Sequence, residues 1–324
     1  MLTPTQKQTA QSILNIFETG AVRGDYGKVT LIAGDTGHLT FGRSQTTLGS
    51  GNLFRLLEQY CSNYGARFGE RLQPYLERLK ARDISLDTDS VLHNILRATA
   101  DDPVMRDTQD QFFDQVYWQR AARAAQKLNI LSPLGVTLVY DGYVHGSWGR
   151  MRDRTNQQAG TLSTLGEQQW LRAYVRERRD WLAGHPRADL RATVYRMEAF
   201  QRLIDQDSWG LELPLVVRGI EISLDSLAAV PPGCYDGPQL GTRILALQSP
   251  MQRGLDVRLV QLQLSEHGIE IVADGIFGQV SARCVRQYQE QTGLAMTGVA
   301  DMALIAQISV TPPDHNIEIH MASH

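Results

Sequence analysis

Cysteine is scarce in this 324-residue chain. Cys61, Cys234 and Cys284 are odd in number and widely spaced, which argues against a disulfide framework and against a zinc motif. Histidine, cysteine and acidic residues nowhere gather at metal-ligand spacing, so no metal and no other cofactor is expected. No apolar run approaches the roughly eighteen residues that a membrane span needs. The opening "MLTPTQKQTAQSILNIFETG" lacks a basic start and a long apolar stretch, so it does not read as a signal peptide. Lysine occurs only at positions 7, 28, 80 and 127, the net charge is -3, and that balance gives no reason to expect nucleic acid. What is present is ordinary globular composition, with 42% hydrophobic residues, enough over this length for two domains and a large core.

The first segment predicts a helix with both ends marked. Thr3 is placed to cap it, Pro4 suits the first helical position, and Gln6 completes a T-x-x-Q capping box. Ala10, Ile13, Ile16 and Phe17 give an apolar stripe, and Gly20 a stop. Glu18 then falls in the last turn, where the macrodipole disfavours negative charge, a bias useful to a general acid. A solvated glutamate at a helix end is the plainer alternative.

The stretch "DYGKVTLIAGDTGHLTFGRS" (25–44) predicts a small β-lobe: a strand over 28–33, a Gly-rich turn, and a second strand over 39–41. Asp35 lies in the turn and Thr40 follows it closely. Glu18 protonating a glycosidic oxygen, with Asp35 and Thr40 holding a water on the opposite face of the sugar, is the arrangement of an inverting glycosidase, whose carboxyls stand roughly 6.5–9.5 Å apart. An aspartate bonding its own turn backbone is the alternative. Tyr26 is placed either to stack on a sugar at the cleft lip or to fill the core of the lobe. His38 reads as a solvent-exposed turn residue and not as a second base.

Glu18, Asp35 and Thr40, with "DTGHLTFG" between them, resemble the catalytic signature of the lysozyme-like superfamily. The run Asp35, Thr36, Thr40, Gly42 is similar to phage-type lysozymes, which are inverting muramidases. The segments "RDTQDQFFDQVYWQRAARAAQKL" (106–128), "LNILSPLGVTLVYDGYVHGS" (128–147) and "LELPLVVRGIEIS" (211–223) resemble family 46 chitosanases. The resemblance implies a mainly α structure: a lysozyme/chitosanase-like α+β catalytic domain with a small β-lobe. It also implies that an aspartate on a central helix joins buried arginines to support the catalytic glutamate. Asp141 takes the place of that aspartate, and Arg196 and Arg202 in "YRMEAFQRLI" those of the arginines; an ordinary structural ion pair at Asp141 is compatible with this.

Two positions depart from the chitosanase pattern. Where that family usually has an aspartate after the active-site loop, this chain has Gly51-Asn52, and where it usually has an arginine two residues after the catalytic aspartate, this chain has Gly37. An ammonium on the substrate rewards a carboxylate through a charge-assisted hydrogen bond, whereas the amide of Asn52 suits a neutral N-acetylated sugar.

The C-terminal part carries its own signal. Residues 1–227 read as the catalytic domain, the Pro- and Gly-rich 228–245 as a linker, 246–310 as a small three-helix domain and 311–324 as a tail. Val257, Val260 and Leu264 form a helical stripe ending at Gly268, "ADGIFG" (273–278) a turn with Phe277 free to plug a core, and a second and third helix follow from Ser281. The elements "LVQLQL", "DGIFG", "VRQYQEQTGL" and "TGVAD" resemble the peptidoglycan-binding module in order and spacing; a helical spacer or docking module is the alternative.

Together these readings predict a peptidoglycan hydrolase of the muramidase type whose partner is the glycan strand. Glu18 is read as acid, Asp35 as base, Thr40 as water holder, and Tyr26 and Asn52 as sugar contacts. A chitosanase with a wall-binding module keeps the same acid and base, and a catalytically dead binding protein is the non-enzyme alternative. Without an export signal, such an enzyme is expected to be made in the cytoplasm and to reach the wall or periplasm by another route. A phage endolysin or an antibacterial effector of contact-dependent (type VI) secretion fits, the latter with a cognate immunity protein or a secretion-machine component as partner. The chain also reads as compatible with a fragment of a longer effector.

Overall fold

A computed structural model describes residues 2–32, 34–43 and 45–310, so the expected tail lies outside the described residues. The first helix, α1 (Pro4–Thr19), starts and stops where the sequence marks it. The Thr3 hydroxyl accepts from the Gln6 amide at 3.2 Å, the Gln6 side chain accepts from the Thr3 amide at 2.9 Å, and Gly20 closes the helix in the left-handed region with φ 73°.

The β-lobe follows as β1 (Val29–Thr30), β2 (Thr40–Phe41) and β3 (Thr46–Thr47), an antiparallel sheet in that order, with Thr40 opposite both Thr30 and Thr47. The first strand is far shorter than the expected 28–33, the second falls within the expected 39–41, and β3 lies outside the expected strands. The longer helices are α2 (Asn52–Cys61), α3 (Ser90–Thr99), α4 (Pro103–Phe113), α5 (Gln119–Lys127), α6 (Pro133–Val144), α7 (Trp148–Ala159), α8 (Glu167–Ala183) and α9 (Tyr195–Asp205). After a hairpin of β4 (Leu215–Val217) and β5 (Ile220–Ile222) come α10 (Leu255–Glu266), α11 (Gln279–Gln291) and α12 (Met302–Val310). The architecture is mainly helical.

The chain forms two compact units that cross the boundaries drawn along the sequence: Met1–Gly24 with Gln111–Ala229, and Asp25–Asp110 with the segment from Val230 onward. The first unit is built round α6, whose residues from Leu134 to Gly142 are all buried. Such a helix, apolar on every side, is a core element and not an amphipathic surface one. Ile13, Ile16 and Phe17 of α1, Tyr174 of α8 and Phe200 of α9 pack in the same core.

The second unit joins the β-lobe to the three C-terminal helices. Its C-terminal core holds Val257, Val260, Leu264, Phe277, Val285 and Ile305, with Phe277 fully buried as the plug its turn predicts. This core is fastened to α3. Buried Asn94 donates to the Ile271 carbonyl at 2.8 Å and accepts from the Ala273 amide at 2.9 Å. Arg258, 4% exposed, donates to the Arg97 carbonyl at 2.9 Å, to Asp101 at 3.1 Å and to the Gly233 carbonyl at 2.6 Å. The segment expected as a linker is part of this fastening: Cys234 is buried beside Tyr26 and Ala100, and the Tyr235 amide donates to Asp101 at 2.7 Å. Among the described residues no helix is long and apolar enough to cross a membrane, and no group of three or more histidine, cysteine or acidic side chains stands close enough to hold a metal ion.

Candidate active site

Glu18 ends α1 in the first unit, and its position is set by a chain of buried charge. Its Oε1 accepts from Arg196 Nη1 at 2.7 Å, while the side chain as a whole remains 47% exposed. Arg196 continues inward: Nε and Nη2 donate to Asp141 Oδ1 at 2.9 and 2.6 Å. Asp141 is fully buried, and its Oδ2 accepts from Arg178 Nη1 at 2.6 Å. Burial alone would push the Asp141 carboxyl up, but the guanidiniums of Arg196 and Arg178 outweigh it and hold it below the usual carboxylate range. A buried carboxylate with both oxygens bound to arginine is the form in which such a charge is tolerated.

The expected pairing of Arg196 with Arg202 needs correction. Arg202 is exposed in the last turn of α9. Six residues along an α-helix turn the side chain by about 240°, so a register that buries Arg196 beside Met197 and Phe200 sends Arg202 outward. The second arginine is Arg178 of α8.

His145, which sequence reading did not single out, caps α6 four residues after Asp141, and so one turn along the same helix face. Arg178 Nη2 donates to its Nδ1 at 3.1 Å. A guanidinium can only donate, so this bond places the ring proton on Nε2. Burial, and next to it the Arg196 charge, push the His145 ring down to about 4, so it stays neutral at ordinary pH. The end of α1 is clamped from the other side as well: Tyr195 donates to the Phe17 carbonyl at 2.7 Å, and the Arg196 guanidinium lies 4.9 Å from the Phe17 ring centre.

Asp35 and Thr40 belong to the second unit. Asp35 is exposed, and its Oδ1 accepts from the Gly37 amide at 3.1 Å, so the turn bond expected as the alternative is present together with an outward-facing carboxylate. The turn rests on the 47–50 segment, where Gly49 donates to the Gly37 carbonyl at 2.9 Å. A β-carbon on Gly49 would meet the Thr36 carbonyl oxygen at 2.3 Å, so only glycine fits this approach. The Thr40 hydroxyl donates to the His38 carbonyl at 3.0 Å, which leaves its lone pairs as acceptors. His38 is not a bare surface residue: its Nδ1 lies 2.8 Å from Asp87, which also accepts from the Leu39 amide at 2.8 Å. That anchor fixes the turn from behind.

Tyr26 is corrected from sugar platform to core residue. It is 1% exposed, its hydroxyl donates to Asp110 at 2.7 Å, and Arg43 covers its ring with the guanidinium 5.5 Å from the centre. Arg43 also pairs with Asp110. Asn52 starts α2 after left-handed Gly51 and is half-buried, its backbone N–H donating to the Ser50 hydroxyl at 3.2 Å.

A helix-end glutamate braced by a buried Arg-Asp-Arg chain, on a mainly helical scaffold that also carries an exposed turn aspartate, defines a lysozyme-like glycoside hydrolase. The family model for glycosyl hydrolase family 46 matches residues 12–215, and the chain belongs to that family. A peptidoglycan binding domain model matches residues 253–308. The chitosanase of Bacillus subtilis (strain 168) is 28% identical over 235 residues, covering 68% of this chain and 84% of that protein. A mutant chitosanase from Bacillus subtilis MY002, complexed with 6 GlcN, is 25% identical with a TM-score of 0.54 over 67% of this chain and 96% of that one. A Gynuella sunshinyii chitosanase of the same family, in complex with chitotetraose, shares the fold with a TM-score of 0.55 at 24% identity over 69% of this chain and 99% of that one.

Proposed function

We propose that this family 46 hydrolase acts on peptidoglycan as a muramidase. The observation that carries the reading is the place of the peptidoglycan-binding module: it belongs to the same compact unit as Asp35 and Thr40 and is fastened there by the buried Arg258 and Asn94. A wall-binding element so built in favours one polymer for binding and for cleavage, at high local concentration. Asn52, an amide where a carboxylate would reward an ammonium, favours the same neutral N-acetylated chain.

In this mechanism Glu18 is the acid. Arg196 orients the carboxyl by its Oε1, and Oε2 carries the proton to the glycosidic oxygen. Water held by Thr40 and Asp35 attacks the anomeric carbon from the opposite face, Asp35 takes its proton, and the product leaves with inverted configuration. Asp141, Arg178 and His145 act through Arg196 and touch no sugar. Delivery to a wall or periplasm as an effector or endolysin belongs to the same reading.

Cleavage of chitosan is the second reading, and what favours it is the chitosanase relatives. The test is proton NMR of fresh digests of purified peptidoglycan and of chitosan. Muropeptides that appear first as the inverted α-anomer support the proposal. Products from chitosan with an untouched wall would select the second reading, and β-anomers would remove Asp35 as a base.

A further inference from the structure

We infer that the first unit carries an oxyanion site beside the Glu18 network, suited to the carboxylates of the peptides borne by wall glycan. The site is a recess of about 390 Å³ lined by Arg120, Arg123 and Lys127 of α5, Arg152 of α7, and the rings of Tyr143 and Trp148. No acidic residue lines it. Arg120, Arg123 and Lys127 are exposed on one face of α5 at spacings of three and four residues, where like charges repel. None of the three has an ion-pair partner among the described residues; of the four cations only Arg152 does, to the adjacent Asp153 at 2.7 Å. In a chain of net charge -3 this concentration is local, and repulsion held around a concavity is relieved by an anion.

The aromatic wall is packed. Trp148 is 5% exposed, and its ring stacks on Tyr143 with centres 6.4 Å apart. Tyr143 and Trp148 bracket His145, so the recess and the Arg178 end of the buried charge chain share one short segment. Guanidiniums recognise carboxylate and phosphate by the same forked hydrogen bonds, so the ligand chemistry is an oxyanion. A polycationic chain such as chitosan is repelled by this surface. The choice of wall peptide as source rests on the proposed function; the binding chemistry does not.

The test uses the full chain. Indole NMR shifts of Trp148 are followed while the tetrapeptide released from purified peptidoglycan, or inorganic phosphate, is titrated in. Hydrolysis is then compared on intact wall and on glycan stripped of peptide, for wild type, Arg120→Glu/Arg123→Glu and Arg120→Lys/Arg123→Lys. The expected result is binding of the tetrapeptide, lost on charge reversal and kept in the lysine variant. On intact wall the reversal raises KM about tenfold or more, and on stripped glycan it changes nothing. Phosphate binding without peptide binding supports the oxyanion site and moves its source to a phosphate-bearing polymer. If neither anion binds, or if reversal affects both substrates alike, the site is wrong. Binding by an enzyme that cuts neither substrate would instead remove the proposed function and leave the site standing.

Discussion

Each unit buries an aspartate against arginine, and the two clusters do different work. In the first, Asp141 has both oxygens bound, by Arg196 and Arg178, and the chain of charge emerges at Glu18. In the second, Asp101 has one guanidinium, Arg258, and its Oδ2 has no hydrogen-bond partner. Burial therefore pushes Asp101 up to about 6, with Arg258 opposing, while Asp141 is held low. The second cluster ends on backbone carbonyls and fixes the C-terminal helices to α3. The two differ in where the arginine leads: Arg196 spends its third nitrogen on a carboxylate at the surface, Glu18, whereas Arg258 turns to main-chain carbonyls.

Removing the shared carboxylate of the first cluster is the harshest way to break the comparison. Asp141→Ala leaves the buried Arg178 guanidinium uncompensated and Arg196 with Glu18 alone, and should cost about 3–5 kcal/mol in urea unfolding. Next comes Arg196→Lys, which keeps the charge and loses the fork. If Glu18 is the acid as proposed, turnover should fall about 100-fold with the fold retained by circular dichroism, because the carboxyl is misplaced and not discharged. Arg202→Ala is its control and should leave turnover near wild type, as surface changes do. Arg258→Met should cost less, about 1–3 kcal/mol, since Asp101 is already poised to take up a proton. Its damage should appear as faster proteolysis from Val230 onward with the first unit still protected.

The finest distinction is in pH, where the clusters tilt in opposite directions and partly cancel in a whole-protein measurement. His145 is lowered from 6.5 to about 4, so its contribution is present above 6.5 and is lost as pH falls toward 4. Asp101 is raised from 3.8 to about 6, so its contribution is present below 3.8 and is lost as pH rises through 6. Hydrogen exchange resolved by unit between pH 4 and 6.5 should show the first unit losing protection toward acid and the second losing it toward neutrality. His145→Gln should flatten the first slope and Asp101→Asn the second; parallel slopes would contradict the contrast.

Much of this was legible because it is local. Thr3, Pro4, Gln6 and Gly20 declare α1 through capping chemistry, and Glu18 follows from where that helix ends. Phe277 and the stripe of α10 declare the C-terminal core through periodicity. What was not legible depends on partners distant in sequence. The sequence points to Arg202, and only the register of α8 and α9 against Asp141 puts Arg178 in its place. Tyr26 reads as either a lip or a core residue until Asp110 and Arg43 decide for the core. Two-residue strands such as β3 give no alternation to read. The Pro- and Gly-rich segment at 228–245 reads as a linker because nothing local reveals that Arg258 and Asp101 grip it.

The most direct test of the central claim is mass spectrometry of fragments released from purified peptidoglycan by wild type and by Glu18→Gln, with chitosan run in parallel. Muropeptides ending in reducing N-acetylmuramic acid are expected from wild type, none from the variant, and little from chitosan. Glucosamine oligomers from chitosan beside an intact wall would contradict it.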